Sequence, residues 1–411
     1  MVMCGLGLTV ALSLLQPSQP AAPAPTPPVP LTLQEVLQRV DTVASVRAAR
    51  ARADGTQSAA AQTPRWANPS IELRPENWGS GVGLSLDVYA TVTQRLEVFG
   101  TRSARFGLAN AEALDAEQYV AVARTEAART AARLYLDAVS ARDHLAIVRE
   151  QREGLEDIVS ALSRRVAEGV TAEADLRKFE TERAQVQAVV LRLEFALARR
   201  LRELAAFVGL PGVAANQLML PIVSSMTSPD EMALEASIER RADVSAARTL
   251  LARAESTLSL ASAHARPDLT VTGGYKRNSG YNTGVIAVVL PVPLFDRNGA
   301  AVARARGEVR ADALELDAVR VRARAEALSW INELQALVAH NAQTVESLLE
   351  PARTARVAAR AAFLEGSFDP LRLVDAERAW TEARRTRLAL EVEAVLASIE
   401  TRAALGLEIV P

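Results

Sequence analysis

Two hydrophobic periods divide this chain. Between Val82 and Val98, apolar and polar residues alternate almost without error. Val82, Leu84, Leu86, Val88, Ala90, Val92, Leu96 and Val98 fall on one face, and Gly83, Ser85, Asp87, Tyr89, Thr91, Thr93, Arg95 and Glu97 on the other. A period of two with one apolar and one polar face predicts a strand between two different surroundings. Ile286, Val288, Leu290, Val292 and Leu294 repeat the stripe. Shorter runs precede each: Ile71 with Leu73, and Leu269 with Val271 and Tyr275. Trp78-Gly79-Ser80-Gly81 and Asn278-Ser279-Gly280 separate the members of each pair as hairpin turns would, so four strands are expected.

The second period belongs to helices. Thr101 to Glu168 contains no Pro, and at about 1.5 Å per residue it predicts a rod of roughly 100 Å. Every seventh residue from Ala113 is apolar: Ala113, Val120, Ala127, Leu134, Ala141, Val148, Leu155 and Leu162. A second seam runs through Ala131, Ala138, Leu145, Val159 and Val166. This is coiled-coil spacing, and its many Ala let helices lie close together. The next helix carries Val186, Val190, Leu193, Leu197, Leu201, Leu204 and Val208 in steps of four and three. Gly299 to Leu364 and Leu371 to Leu405 repeat the long-then-shorter pattern, with a kink predicted at Pro351. Gly169 and Gly366 stand where left-handed helix ends are expected. Asp369 is placed to cap the last helix, with Pro370 at its first position.

The two halves keep register. Gly169 answers Gly366 and Gly209 answers Gly406, since 366 − 169 and 406 − 209 are both 197. Leu176 with Leu373 and Glu180 with Glu377 keep the same offset. A duplicated unit of two strands flanked by long helices is expected. Its divisions are a first repeat over 31–210, a linker over 211–230 and a second repeat over 231–411. Residues 1–30 read as a secretory apolar run and a Pro-rich tether. Four strands cannot close a barrel, because the smallest single-chain barrels have about eight. Open edges are not tolerated in lipid. If the strands enter a bilayer the chain must oligomerise, two copies giving eight strands and three giving twelve. The other reading is two ordinary hairpins whose apolar face is covered by protein.

Composition narrows the chemistry. The net charge is −2, which leaves no electrostatic footprint for nucleic acid. Cys4 is the only cysteine and lies in the secretory run, so neither a disulfide nor a thiolate metal site is expected. His144, His264 and His340 are isolated and have no metal-ligand spacing. A phosphate-binding Gly-rich loop is also absent. The sequence therefore offers no catalytic constellation, metal site or cofactor site, and an enzyme is not expected.

These features together resemble the TolC family of outer-membrane efflux proteins, over about residues 31 to 408. The segments that carry the resemblance are Leu96-Glu97-Val98-Phe99-Gly100-Thr101-Arg102, Pro291-Val292-Pro293-Leu294-Phe295-Asp296-Arg297-Asn298-Gly299, Ala167-Glu168-Gly169 and Leu364-Glu365-Gly366. The Pro-Leu-Phe-Asp-Arg-Asn run resembles the CzcC-like branch linked to divalent heavy-metal efflux. The resemblance implies a mainly α fold with a small β part, in which long helical hairpins join four transmembrane strands per chain. It further implies a homotrimer with a twelve-stranded barrel in outer-membrane lipid and a helical tube in the periplasm. Its partners would be a periplasmic adaptor (membrane fusion) protein and an inner-membrane pump of the RND type. Gly169, Val170, Gly366 and Ser367 match the tips that adaptors touch. Asp375, with Arg372 and Asp175, matches the constriction at the periplasmic entrance, though Arg372 departs from a purely acidic ring. Leu84, Leu86, Val88, Val92, Ile286 and Val288 would face lipid. A structural coiled-coil envelope protein remains the alternative, as does a similar duct for drugs or secreted proteins.

Overall fold

The computed structural model describes residues 31–76, 87–223, 228–278, 280–365 and 370–409. Residues 1–30, expected to be leader and tether, Leu84, Leu86, the expected turn at Trp78–Gly81, Gly366, Ser367 and Asp369 lie outside the described residues.

The chain is mainly helical, with one small antiparallel sheet. The first half runs α1 (Leu33–Gln38), α2 (Ala44–Gln62), β1 (Ser70–Glu76), β2 (Asp87–Leu96), α3 (Thr101–Ala167) and α4 (Glu173–Phe207). The second half follows the same order: α5 (Glu231–Glu239), α6 (Ala242–Ala263), β3 (Leu269–Asn278), β4 (Tyr281–Val289), a long helix, then α9 (Pro370–Ala404). The long helix is made of α7 (Gly299–Thr344) and α8 (Glu350–Leu364), joined by a π-helical turn over Val345–Leu349. Pro351 has no N–H to offer the Ser347 carbonyl, and its ring crowds that group. The wider turn just ahead absorbs both effects, so the expected kink takes the form of a π turn.

The heptad seams become the core. Ala127, Val148, Leu155 and Leu162 of the first seam and Ala131, Ala138, Leu145 and Val159 of the second are buried. In the lower part of the molecule they pack on Leu176, Phe179, Val186, Val190 and Leu197 of α4 and on Leu373 and Val374 of α9. In the middle a second cluster joins α1, α3, the end of α4 and α9 around Tyr135. The Tyr135 hydroxyl sits 2.9 Å from the Leu31 carbonyl and 2.7 Å from that of Met219, and it accepts from the Met219 N–H at 3.0 Å. One buried phenol thus ties two extended segments to the middle of α3.

The strands run β1-β2-β3-β4, each antiparallel to the next. Two of them are shorter than their sequence stripes. β2 ends at Leu96, and Val98 lies in the turn that Gly100 completes at φ +98°. β4 ends at Val289, because Pro291 and Pro293 cannot donate to a ladder. Leu290, Val292 and Leu294 therefore continue the apolar alternation in an exposed connection instead of a strand.

Candidate functional site

Register decides what the sheet can do. Ile71 lies opposite Val92, Val92 opposite Gly273, and Gly273 opposite Ile286. Val271 lies opposite Val288, and Val88 shares their face. The stripes of all four strands therefore merge into one apolar surface, as period-two geometry requires. The described residues leave that surface uncovered: Ile71 is 73% exposed, Leu73 72%, Ile286 86% and Val288 60%. Val92 is exposed as well, while Val88 is half-buried.

The opposite face is polar over β1, β2 and β3, while β4 adds Val285, Ala287 and Val289 to it. The Thr93 and Thr272 hydroxyls lie 2.9 Å apart across β2 and β3. The Tyr89 ring is flanked by Arg74 at 4.8 Å and Lys276 at 4.5 Å, so a cation–aromatic row crosses three strands. Arg95 donates through Nε to Asp268 at 2.9 Å. The sheet is thus amphipathic across its thickness. Within this chain β1 and β4 each pair on one side only, leaving two open edges.

At the far end of α3 the helix stops at Ala167, and Gly169 takes φ +74° to reverse the chain. The Val170 N–H reaches back to the Arg165 carbonyl at 2.9 Å, the closing bond of a left-handed helix end. Val170 itself is exposed. Asp175 is half-buried in the first turn of α4. Arg372 and Asp375 are exposed in the first turns of α9. Asp375 lies near Arg378, whose guanidinium also binds Glu182 of α4 through Nε at 3.0 Å. The expected acidic position therefore stands beside a cross-helix ion pair.

Above this end are charge clamps that the spacing analysis did not find. Glu377 is only 2% exposed and receives Arg356 Nε at 3.0 Å together with Arg360. Arg356 also reaches Glu150 of α3 at 3.2 Å, and Arg384 of α9 binds the same carboxylate. Burial works to raise the Glu150 carboxyl pKa, but Arg384 and Arg356 outweigh it and hold the group below the usual carboxylate range. Arg165 donates to the Phe363 carbonyl at 2.7 Å while its guanidinium lies 4.7 Å over the Phe363 ring. Higher up, the fully buried Glu400 meets Arg133 Nε at 3.1 Å and Arg129 Nε at 2.7 Å. Glu326 of α7 takes Arg241 at 2.6 Å and Arg129 at 2.5 Å. Arg side chains therefore fasten the helices of one half to those of the other. A carboxylate four residues after Leu373, the register partner of Leu176, was the available sequence signal for Glu377.

Among the described residues, no group of three or more His, Cys, Asp or Glu side chains is arranged to hold a metal ion. No described helix is long and apolar enough to cross a membrane. What remains is a half-wet, half-apolar sheet on a long helical body, an arrangement suited to lining a passage.

Comparison with known proteins bears on this geometry. Residues 233–407 match the family model described as outer membrane efflux protein. The cobalt-zinc-cadmium resistance protein CzcC of Cupriavidus metallidurans is 27% identical over 345 residues, covering 83% of this chain and 81% of CzcC. The nickel-cobalt-cadmium resistance protein NccC of Alcaligenes xylosoxydans is 28% identical over 318 residues, covering 74% of this chain and 69% of NccC. The crystal structure of the outer membrane protein VceC from Vibrio cholerae superposes with a TM-score of 0.76 at 21% identity, covering 92% of this chain and 97% of that one. In sequence and in fold, the chain resembles the outer membrane efflux proteins. The family match lies in the second half, so it takes in β3, β4, the π turn and the whole of α9. The structural match extends the resemblance to the first half and gives the chain a TolC-like fold.

Proposed function

We propose that this chain is one protomer of an outer-membrane duct in a tripartite efflux system. The observation that carries this reading is the amphipathic four-stranded sheet with two open edges and an uncovered apolar face. In lipid, an open sheet edge leaves backbone groups without partners, at a cost of several kcal/mol each. Three copies joined β4 to β1 remove every edge and make a twelve-stranded barrel, with Leu84, Leu86, Val88, Val92, Ile286 and Val288 toward lipid. The polar face then lines a wet lumen. The helices below extend the lumen through the periplasm as a tube.

A duct performs no covalent step. A periplasmic adaptor engages the tips at Gly169, Val170, Gly366 and Ser367, and an inner-membrane pump of the RND type supplies the energy. Asp375, with Arg372 and Asp175, narrows the periplasmic entrance. The cargo is divalent heavy-metal cations, a reading supported by the resistances for which CzcC and NccC are named.

The test is made on purified protein. The expected outcome is a detergent-dependent trimer that conducts ions in planar bilayers, with Asp375→Ala raising the conductance. A monomer that is stable without detergent sinks the duct. Unchanged conductance in the variant removes Asp375 from the gate. Deleting the gene should sensitise cells to cobalt, zinc or cadmium, and unchanged tolerance to all three rejects the metal cargo.

A further inference from the structure

A groove of about 920 Å³ lies between α4 and α9, with α3 as its base. Its volume is in the range of sites for small organic molecules. The floor is apolar: Val148 of α3 with Val186, Val189 and Leu193 of α4. The rim is charged, and most of its charges are already matched. Arg378 binds Glu182 across the groove, and Arg385 binds Glu382 at 3.2 Å. Arg192 is the exception. It is exposed on the α4 rim, and among the described residues no carboxylate lies within ion-pair distance of it.

The α3 wall adds His144, whose imidazole is held below its ordinary pKa by burial and then by Arg385. A neutral ring leaves the Arg192 charge unopposed without making the wall more cationic. Asp375, Arg378, Glu382 and Arg385 recur in steps of three and four, so they share one face of α9. The groove therefore opens on the side that carries Asp375. That this side is the lumen rests on the proposed function, whereas the chemistry of the groove does not.

We propose that the groove binds a small amphipathic organic anion, its apolar body on Val148, Val186, Val189 and Leu193 and its acid group on Arg192. A metal cation is disfavoured there, because Glu182 and Glu382 are taken by arginines and the net rim charge is positive. A neutral ligand would use the floor but forgo a charge-assisted hydrogen bond to the guanidinium.

The experiment uses the full chain in lipid nanodiscs, with empty nanodiscs as the blank. Binding of naphthalenesulfonate and of the neutral naphthalenemethanol is measured by calorimetry. In the wild type the sulfonate should bind about tenfold tighter than the alcohol, the size of one charge-assisted hydrogen bond. Arg192→Gln should level the two affinities, and Arg192→Lys should keep most of the preference. Equal affinities in the wild type, a preference that survives Arg192→Gln, or no saturable binding of either compound overturns the proposal. In planar bilayers the sulfonate should reduce wild-type current and spare the Arg192→Gln current. Binding by a chain that conducts nothing supports the groove and sinks the duct, so the two failures are distinguishable.

Discussion

Gly169 holds φ +74°, and a Cβ built there meets no atom within 4 Å. A bulkier residue at this position is therefore opposed only by the left-handed backbone, at about 1–2 kcal/mol. Gly169→Val should leave the proposed trimer assembled, with stability lowered by no more than that strain, while weakening adaptor capture in a pull-down. Full capture by the variant counts against the tip assignment. Glu377 presents the opposite case, since it is enclosed between two guanidinium groups. Glu377→Gln leaves Arg360 without its carboxylate and Arg356 with Glu150 alone, and should lower unfolding stability by roughly 3 kcal/mol. Its repeat partner Glu180 pairs with Arg177 at the surface, so Glu180→Gln should cost no more than about 0.5 kcal/mol. Denaturant titration of the two variants checks the contrast, and equal losses refute it. Gly169 was legible in the sequence because a glycine after a periodic run has one common use. Glu377 was not, because its partners sit on α8, across a turn that spacing does not fold.

Among the elements, the junction of α7 and α8 links sequence to mechanics most directly. A single Pro351 follows a π turn, and the helix continues beyond it through residue 364. The backbone hydrogen bond lost to proline makes this the weak point of the rod. Pro351→Ala restores the missing N–H and should convert the turn to regular helix. Amides of Val345–Leu349 should then exchange more slowly with deuterated solvent, and unchanged rates would reject proline as the cause. The strands teach a related lesson. Alternation located all four, but the apolar stripe ran past the true end of β4 because side-chain pattern carries no information on backbone donors. Pro291 and Pro293 held that information, and they end the ladder at Val289.

For the whole molecule, the decisive feature is an apolar face with no described residue of its own chain over it. Ile286 and Ala287 are neighbours on β4 that point to opposite faces. In the proposed barrel, Ile286→Lys puts an ammonium toward lipid and should cost about 2–4 kcal/mol near mid-bilayer. Ala287→Lys puts it toward water and should be nearly neutral. Refolding into lipid vesicles, followed by urea titration, measures both. Equal tolerance of the two lysines would mean that the apolar face does not meet lipid.

The two hydrophobic periods by themselves determined that long helices alternate with amphipathic strands, and the constant offset determined that the pattern comes twice. Both are properties of residue spacing, and spacing survives in one dimension. Only the tertiary structure decided that the four stripes merge on one face, because cross-strand register depends on how two distant hairpins meet. It alone also decided which carboxylates lie buried among arginines and which rim cation, Arg192, has no partner among the described residues. A charge next to its counter-charge in space leaves no mark in sequence when the two are carried on different helices.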